Sequence, residues 1–324
     1  MKALLCKEFG PIERLVLEEV PSPVAGKRQV VIKVAAAGVN FPDVLIVQGK
    51  YQVKPAFPFA PGGEFAGIVK EVGEGVTHVR PGDAVIGLAT HGGYAEEALV
   101  DAAAVIPLPP GADLVTAAAL MVAHGTALHA LKDRAQIKAG ETLLVLGAAG
   151  GVGLAAVEIG RLLGAKVIAA ASTDDKLDVC RSRGADMVIN YSREDLKERV
   201  RALTEGRGAD VVYDPVGGPY SEPALRSTAW NGRFLVIGFA AGDIPQIPLN
   251  LPLLKGYSIV GVFWGEFVRR EPARNGENVR QLLGWVAAGR LAPLVSARYP
   301  LSAAVDALGA LLRREVTGKV VVLP

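Results

Sequence analysis

The residues with the plainest chemical use lie in one run, Gly147-Ala148-Ala149-Gly150-Gly151-Val152-Gly153. Glycines at that density let a charged group approach the backbone with no Cβ in the way. The preceding Thr142-Leu143-Leu144-Val145-Leu146 is short and apolar, the pattern of a buried parallel strand. The following stretch, 154–163, carries apolar residues at helical spacing and stops at Gly164, a helix with a glycine cap. A glycine turn between strand and helix leaves N–H groups free at the positive end of the helix, which suits a pyrophosphate. The spacing is G-x-x-G-x-x-G rather than G-x-G-x-x-G, and alone it also describes close helix–strand packing. With its flanking strand and helix it predicts dinucleotide binding through Gly150, Gly151, Val152 and Gly153.

A second group concerns which dinucleotide. A site for NAD places a carboxylate at the end of the second strand, on the ribose 2′-hydroxyl. Here the strand over 166–171 ends at Ser172, whose small hydroxyl leaves room for a 2′-phosphate. Lys176 follows one helical turn later and can point its ammonium at that phosphate; the alternative is a solvated surface lysine. Asp174 and Asp175 argue for the 2′-hydroxyl, but helix N-capping suits them better. The expectation is NADPH rather than NADH.

These groups need a scaffold. Over 1–120 the chain offers short strands punctuated by Gly and Pro, at 30–36, 67–72, 84–88 and 95–100, which predict a small, mostly antiparallel β domain. Two loops interrupt it, Gly38-Val39-Asn40-Phe41-Pro42-Asp43 and the longer stretch 48–64. Beyond about 115 come an alanine-rich helix over 117–131 and then alternation. Strands at 142–146, 166–171, 187–190, 210–213, 233–237 and 258–263 alternate with helices at 154–163, 174–183, 193–204 and 221–230, a doubly wound parallel sheet. The end adds a helix (279–288), a strand (296–300), a helix (303–314) and a last strand (319–323). The expected domains are 1–121, 122–264 and a tail, 265–324.

Composition excludes several classes. With 324 residues, half of them hydrophobic and 21% charged, the chain has material for a large core. A formal charge of +2 argues for neither nucleic acid nor an acidic membrane surface. Two cysteines, Cys6 and Cys180, exclude a disulfide framework and fit a reducing, cytoplasmic setting. The opening Met1-Lys2-Ala3-Leu4-Leu5-Cys6 reads as a first strand rather than a signal peptide, and no apolar run is long enough to span a membrane.

The order of β domain, Rossmann domain and mixed tail resembles the medium-chain dehydrogenase/reductase superfamily, and within it the zinc-free, zeta-crystallin-like quinone oxidoreductases. The matching pieces are Gly38-Val39-Asn40 with Asp43, Pro61-Gly62 with Glu64 and Gly67, Pro81-Gly82-Asp83 and Gly125-Thr126-Ala127. Further matches are Ala148 to Gly153, Gly164-Ala165, Val188-Ile189-Asn190-Tyr191 and Thr317-Gly318-Lys319-Val320. The resemblance implies a GroES-like catalytic domain, a tail folding back onto it and an active cleft between the domains. It also implies that Thr126, Tyr191 and Lys319 join the cofactor site. Zinc alcohol dehydrogenases carry Cys where this chain has Asn40 and His where it has Gly63, and they have a four-cysteine lobe that is missing here. Of the four histidines, none stands at ligand spacing with a carboxylate, so no metal is expected.

A nicotinamide cofactor supplies hydride, which leaves the acceptor open. Reducing a ketone creates an alkoxide, which normally needs zinc or a strong acid. Reducing a quinone creates a phenolate-like anion with a pKa of about 10, which water or one neutral donor can protonate. Missing acid machinery therefore points to a quinone or a similar electrophilic carbonyl compound, with an enone or enoyl thioester as the nearest rival. A protein that binds NADPH without turnover is the rival from another class. Asn40 can hydrogen-bond a carbonyl oxygen or the nicotinamide, or form an Asx turn before Pro42. Tyr51 can hydrogen-bond or protonate substrate, or simply pack its loop; Asp43 reads as a helix cap. Phe239, just after the fifth strand, is placed for a cofactor contact. Phe263 and Trp264 read equally as dimer-edge or core residues. The apolar stretch 257–263, with no charge to block pairing, predicts an outer strand and a homodimer through it.

Overall fold

Apolar runs bounded by glycine, proline and polar residues become strands throughout the computed structural model, which describes residues 1–324. β1 (Lys2–Leu5) and β2 (Val16–Glu19) form an antiparallel ribbon. β3 (Gln29–Gly38) is the hub of the first unit, antiparallel to β4 (Glu64–Val72) and, over its first half, to β6 (Glu97–Asp101). β4 continues to β5 (Ala84–Leu88) and β5 to β7 (Val105–Pro107). Val30, Ile32 and Val34 of β3 join Val44, Val47, Phe65 and Val85 in one core.

The second unit holds β8 (Thr142–Val145), β9 (Lys166–Ala171), β10 (Met187–Asn190), β11 (Ala209–Asp214), β12 (Thr228–Val236) and β13 (Ser258–Gly261). All pair in parallel, in the order β10-β9-β8-β11-β12-β13. That is the doubly wound arrangement, with its reversal between β8 and β11, where such sheets bind ligands. β13 is an edge. β14 (Val295–Pro300) and β15 (Lys319–Leu323) belong to the first unit, where β15 pairs antiparallel with β3 through Val321↔Gly38 and Val322↔Ala37. The units are Met1–Val122 with Pro293–Pro324, and Ala123–Ala292. The stretch 265–324 is thus divided, with the helices Trp264–Arg270 and Pro272–Ala287 in the second unit.

Several elements differ from expectation: the outer strand expected to reach Phe263 ends at Gly261, with Phe263 at the N-cap of the next helix, and the helix expected from 193 begins at Leu196. The alanine-rich helix is broken into π-type turns, Met121–Gly125 and His129–Arg134, around Thr126–Leu128. The helix expected over 221–230 stops at Arg226, because Thr228, Ala229 and Trp230 already belong to β12. The helix expected from 279 begins at Pro272; its polar early turns are held by side chains, Asn278 Nδ2 donating to Asp133 at 2.8 Å. No helix is long and apolar enough to cross a membrane.

Candidate active site

In the first unit the chemistry gathers where β3, β4 and β15 meet. β3 ends at Gly38, and Asn40 opens the short helix Phe41–Val47. Asp43 stands in that helix's first turn, and its Oδ2 accepts from the Asn40 backbone N–H at 2.8 Å. The same carboxylate accepts from the Gly63 N–H at 3.2 Å and the Tyr94 hydroxyl at 2.9 Å. Glu64, fully buried at the start of β4, accepts from the Val122 N–H at 2.9 Å and Asn40 Nδ2 at 3.1 Å. Lys319, which opens β15, donates to the Val39 carbonyl at 3.0 Å, to Asn40 Oδ1, and to Glu64 Oε2 at 3.5 Å. Gly38 leaves room for this cluster, since a Cβ there would stand 2.8 Å from Glu64 Oε2 and 2.2 Å from the Ala118 carbonyl oxygen.

Two carboxylates and one ammonium thus share a dry site, which is expensive unless each is well bonded. Burial lifts the Asp43 carboxyl to about 6, opposed by the Asn40 N–H, the Tyr94 hydroxyl and the charge of Lys319. Tyr51 is half-buried against the same core, and burial together with the Asp43 charge pushes its phenol up. The side chain of Asn40 thus meets Lys319 and Glu64 and also bonds locally, in a capping box with Asp43 at the start of its helix. Asp43 does brace the helix start as expected, and holds Gly63 and Tyr94 besides.

In the second unit the site is made of backbone. The helix Gly151–Leu162 follows β8 through the glycine run, with Gly150 at its N-cap and no capping side chain. Its first helical bond is Leu154 N–H to the Gly150 carbonyl, 2.7 Å, so the N–H groups of Gly151, Val152 and Gly153 have no acceptor within the helix. A Cβ on Gly153 would stand 2.2 Å from the Gly147 carbonyl oxygen. The turn is thus a close-packed cradle with open N–H groups at a positive helix end, and it fits a pyrophosphate.

Ser172 directly follows β9, its carbonyl taking the Ser192 hydroxyl at 2.9 Å. Thr173, not either aspartate, caps the next helix, its Oγ1 accepting from the Lys176 N–H at 3.4 Å. Asp174 is occupied elsewhere, accepting from Asn190 Nδ2 at 2.9 Å and pairing with Arg193 at 2.5 Å. Asn190, then Arg193, hold its carboxyl below the usual range. Lys176 is half-buried one turn into that helix. Tyr191 follows β10, its ring 4.6 Å from that of Tyr220. Phe239 lies beyond β12 against Gly217, in a loop tied to the end of β11 by Ala240 N–H to Pro215 O at 3.1 Å and Ala241 N–H to Val216 O at 2.8 Å. Thr126 is half-buried between the two π-type turns.

The structure therefore brings Asn40 and Lys319 into contact with each other and sets Tyr51 near Asp43. Gly150 to Gly153, Thr126, Ser172, Lys176, Tyr191 and Phe239 all belong to the second unit. Tyr94 was not expected; its only sequence signal is a lone aromatic after Gly92-Gly93. Glu64 stood in a motif without a role, although a carboxylate opening an apolar strand is itself a signal. The histidines do have carboxylate partners: His124 Nε2 meets Glu158 at 2.8 Å, and His129 Nδ1 meets Asp133 at 2.9 Å across one helical turn. Neither pair extends to a cluster of three metal-ligating side chains.

The family model of the alcohol dehydrogenase GroES-like domain matches residues 26–110, and that of the zinc-binding dehydrogenase matches 151–285. The quinone oxidoreductase-like protein 2 homolog of Nematostella vectensis is 41% identical over 325 aligned positions, covering 99% of this chain and 88% of its own. The quinone oxidoreductase of Thermus thermophilus, solved alone and in complex with NADPH, is 36% identical with a TM-score of 0.86 over all of both chains. The Escherichia coli quinone oxidoreductase, solved with NADPH, is 29% identical with a TM-score of 0.93, again over all of both chains.

Proposed function

The chain belongs to the quinone oxidoreductase-like branch of the medium-chain dehydrogenase/reductase superfamily and is an oxidoreductase; from that premise we propose that it reduces quinones or similar electrophilic carbonyl compounds with NADPH and without zinc. Bound NADPH supplies the hydride. The N–H groups of Gly151, Val152 and Gly153, beyond the Gly150 cap, take the pyrophosphate. Ser172, Lys176 and Tyr191 take the 2′-phosphate, and Thr126 and Phe239 of the same unit contact the nicotinamide. The observation that carries the reading is the uncapped, glycine-lined helix start after β8, at the reversal of strand order. Two solved relatives with NADPH bound support the choice of cofactor.

The acceptor follows from what the first unit offers. Tyr51, its phenol pushed up by burial, donates a hydrogen bond but is a poor source of a proton. An acceptor that becomes a hydroquinone anion needs no more, because water delivers the second hydrogen as a proton. Zinc has no role in this reading. Asn40 and Gly63 supply no thiolate or imidazole, and the Lys319 ammonium already balances Glu64, so a divalent cation would meet a like charge.

NADPH oxidation measured with a quinone, an enone, an enoyl thioester and no acceptor tests the proposal. Turnover with the quinone alone, undiminished by a strong chelator, supports it. Preference for the enone or thioester transfers the scaffold to those substrates, and binding of NADPH without turnover on any of them defeats the enzymatic reading.

The active form is a homodimer through β13. That strand ends the sheet, and Ile259, Phe263, Leu249, Leu253 and Leu254 are exposed apolar residues on or near it in the chain. A monomeric mass in solution at micromolar concentration contradicts this. Both cysteines are buried and free, which fits a reducing compartment such as the cytoplasm.

A further inference from the structure

Within the second unit, a cavity of about 210 Å³ lies between the turn His129–Arg134, the end of β13 and the helix Trp264–Arg270. None of the residues given above to the cofactor lines it. It is somewhat larger than the cavity of about 150 Å³ that holds benzene. Part of its lining is aromatic: the His129 ring stacks on Phe267 at 3.8 Å, and Phe263 adds a largely exposed ring.

The charges around it do not cancel. Glu266 pairs with Arg269 and Arg270, each at 2.5 Å. Arg274 pairs with Glu271 at 3.0 Å and with Asp133 at 3.1 Å. Three carboxylates thus meet three guanidinium groups. Arg134 is the fourth; its Nε donates to the Gly261 carbonyl at 3.1 Å, and it pairs with no carboxylate. One fixed positive charge therefore lines the cavity without a counter-ion.

His129 supplies the second polar group. Its Nδ1 meets Asp133 at 2.9 Å, and that carboxylate also accepts from Asn278 Nδ2 at 2.8 Å. Burial lowers the imidazole pKa, Asp133 opposes this, and the charges of Arg134 and Arg274 add to it. The ring is therefore neutral, and facing a carboxylate its proton sits on Nδ1. Nε2 then carries a lone pair and has no partner in the protein.

We propose that this cavity binds a small aromatic carboxylate bearing a hydroxyl, of the size and chemistry of a hydroxybenzoate. Arg134 takes the carboxylate, His129 Nε2 accepts from the hydroxyl, and the ring lies against Phe263 and Phe267. A cationic ligand fits worse, because every carboxylate in the lining already holds a guanidinium.

Calorimetric titration of the whole protein with 3- and 4-hydroxybenzoate, benzoate and benzamide tests this. Benzamide is as large as benzoate but uncharged, and should bind about ten- to hundredfold more weakly. The better hydroxybenzoate should bind about three- to tenfold more tightly than benzoate, the effect of one neutral hydrogen bond. Arg134→Gln keeps a donor for the Gly261 carbonyl and should erase the difference between benzoate and benzamide. His129→Phe keeps the stack on Phe267 and should erase only the gain from the hydroxyl. If that variant does not fold, His129→Asn, which retains a donor for Asp133, is read by the same criterion. Saturating NADPH should leave every titration unchanged. Equal binding of benzoate and benzamide by the wild type, or no binding of any of the four, overturns the proposal. So does a benzoate preference that survives Arg134→Gln, or a hydroxyl gain that survives the His129 variant. Competition with NADPH also overturns it, since the ligand would then occupy the nucleotide site. None of these outcomes depends on which acceptor the chain reduces.

Discussion

The two units build their sites from different material. In the second, the candidate nucleotide site is backbone: N–H groups at the start of the helix Gly151–Leu162, with Gly153 pressed so close to the Gly147 carbonyl that a Cβ has no room. Side chains such as Lys176 are added at its margin. In the first, the site is side chains in a dry interior, where Asp43, Glu64, Asn40, Tyr94 and Lys319 bond one another. A backbone site can lose a marginal side chain and keep its fold. A buried charge cluster cannot, because the groups that would set its chemistry also hold β3, β4 and β15 together. Substitutions in the first unit should therefore cost stability, and marginal substitutions in the second should cost only affinity.

The largest effect belongs to Glu64. Glu64→Gln sets an NH2 against a donor whichever way the amide turns, either the Val122 N–H or the Asn40 Nδ2 and Lys319 pair, and leaves the ammonium without its contacting carboxylate. Removing one partner of a buried pair costs about 3–5 kcal/mol. Denaturant unfolding, with hydrogen exchange at the Val122 amide that Glu64 accepts from, measures it. A loss below about 1 kcal/mol would mean that the cluster does not hold the three strands together.

Asp43 comes next, and its effect depends on pH. Its carboxyl is raised from the usual 3.8 to about 6 in the folded chain. Between those values the folded state holds a proton that the unfolded chain has released. The stability contributed by this group is therefore full below about pH 4, falls as pH rises, and levels off above about 6. The total fall is about 3 kcal/mol at about 1.4 kcal/mol per pH unit. Asp43→Asn carries no such titration, so subtracting its unfolding free energy from that of the wild type between pH 4 and 7 should reveal that decline. A flat difference would show that Asp43 is as easily ionised inside as outside.

The same contrast explains what could be read from the chain beforehand. β9, β10 and β15 match the expected limits residue for residue, because buried strands are continuous apolar runs with sharp polar or glycine borders. The glycine cradle was legible because its meaning lies within seven consecutive residues. The charge cluster was not: Glu64 lies 24 residues from Asn40, and Lys319 lies 279 residues from it. Spacing rules reach one helical turn or one hairpin, and it takes the pairing of β3 with both β4 and β15 to join these side chains. The break at Ser227 was missed for a related reason. The stretch 221–230 has helical spacing, but Thr228 is already claimed by Ala209 of the neighbouring strand.

Lys176 gives the smallest effect on the fold and the sharpest test of the contrast. The 2′-phosphate is the only difference between NADPH and NADH, so only a group beside it can discriminate. In the proposed site Ser172 would contribute space and a hydroxyl, and Lys176 charge. A charge-assisted hydrogen bond is worth about 1.5–3 kcal/mol, so Lys176→Ala should raise the NADPH Michaelis constant by roughly one to two powers of ten. The NADH constant should barely move, and turnover at saturation should hold, since the interaction lost is one that ground state and transition state share. Unfolding free energy should stay within about 0.5 kcal/mol of wild type, as for other substitutions outside a core. The helix start keeps its cap from Thr173 and its acidic first turn when the ammonium is removed. Equal weakening of NADPH and NADH would instead make Lys176 part of the scaffold, and a matching loss of stability would erase the distinction between the two units. No change in either constant would return Lys176 to the solvated surface and leave Ser172 to account for any preference between the cofactors.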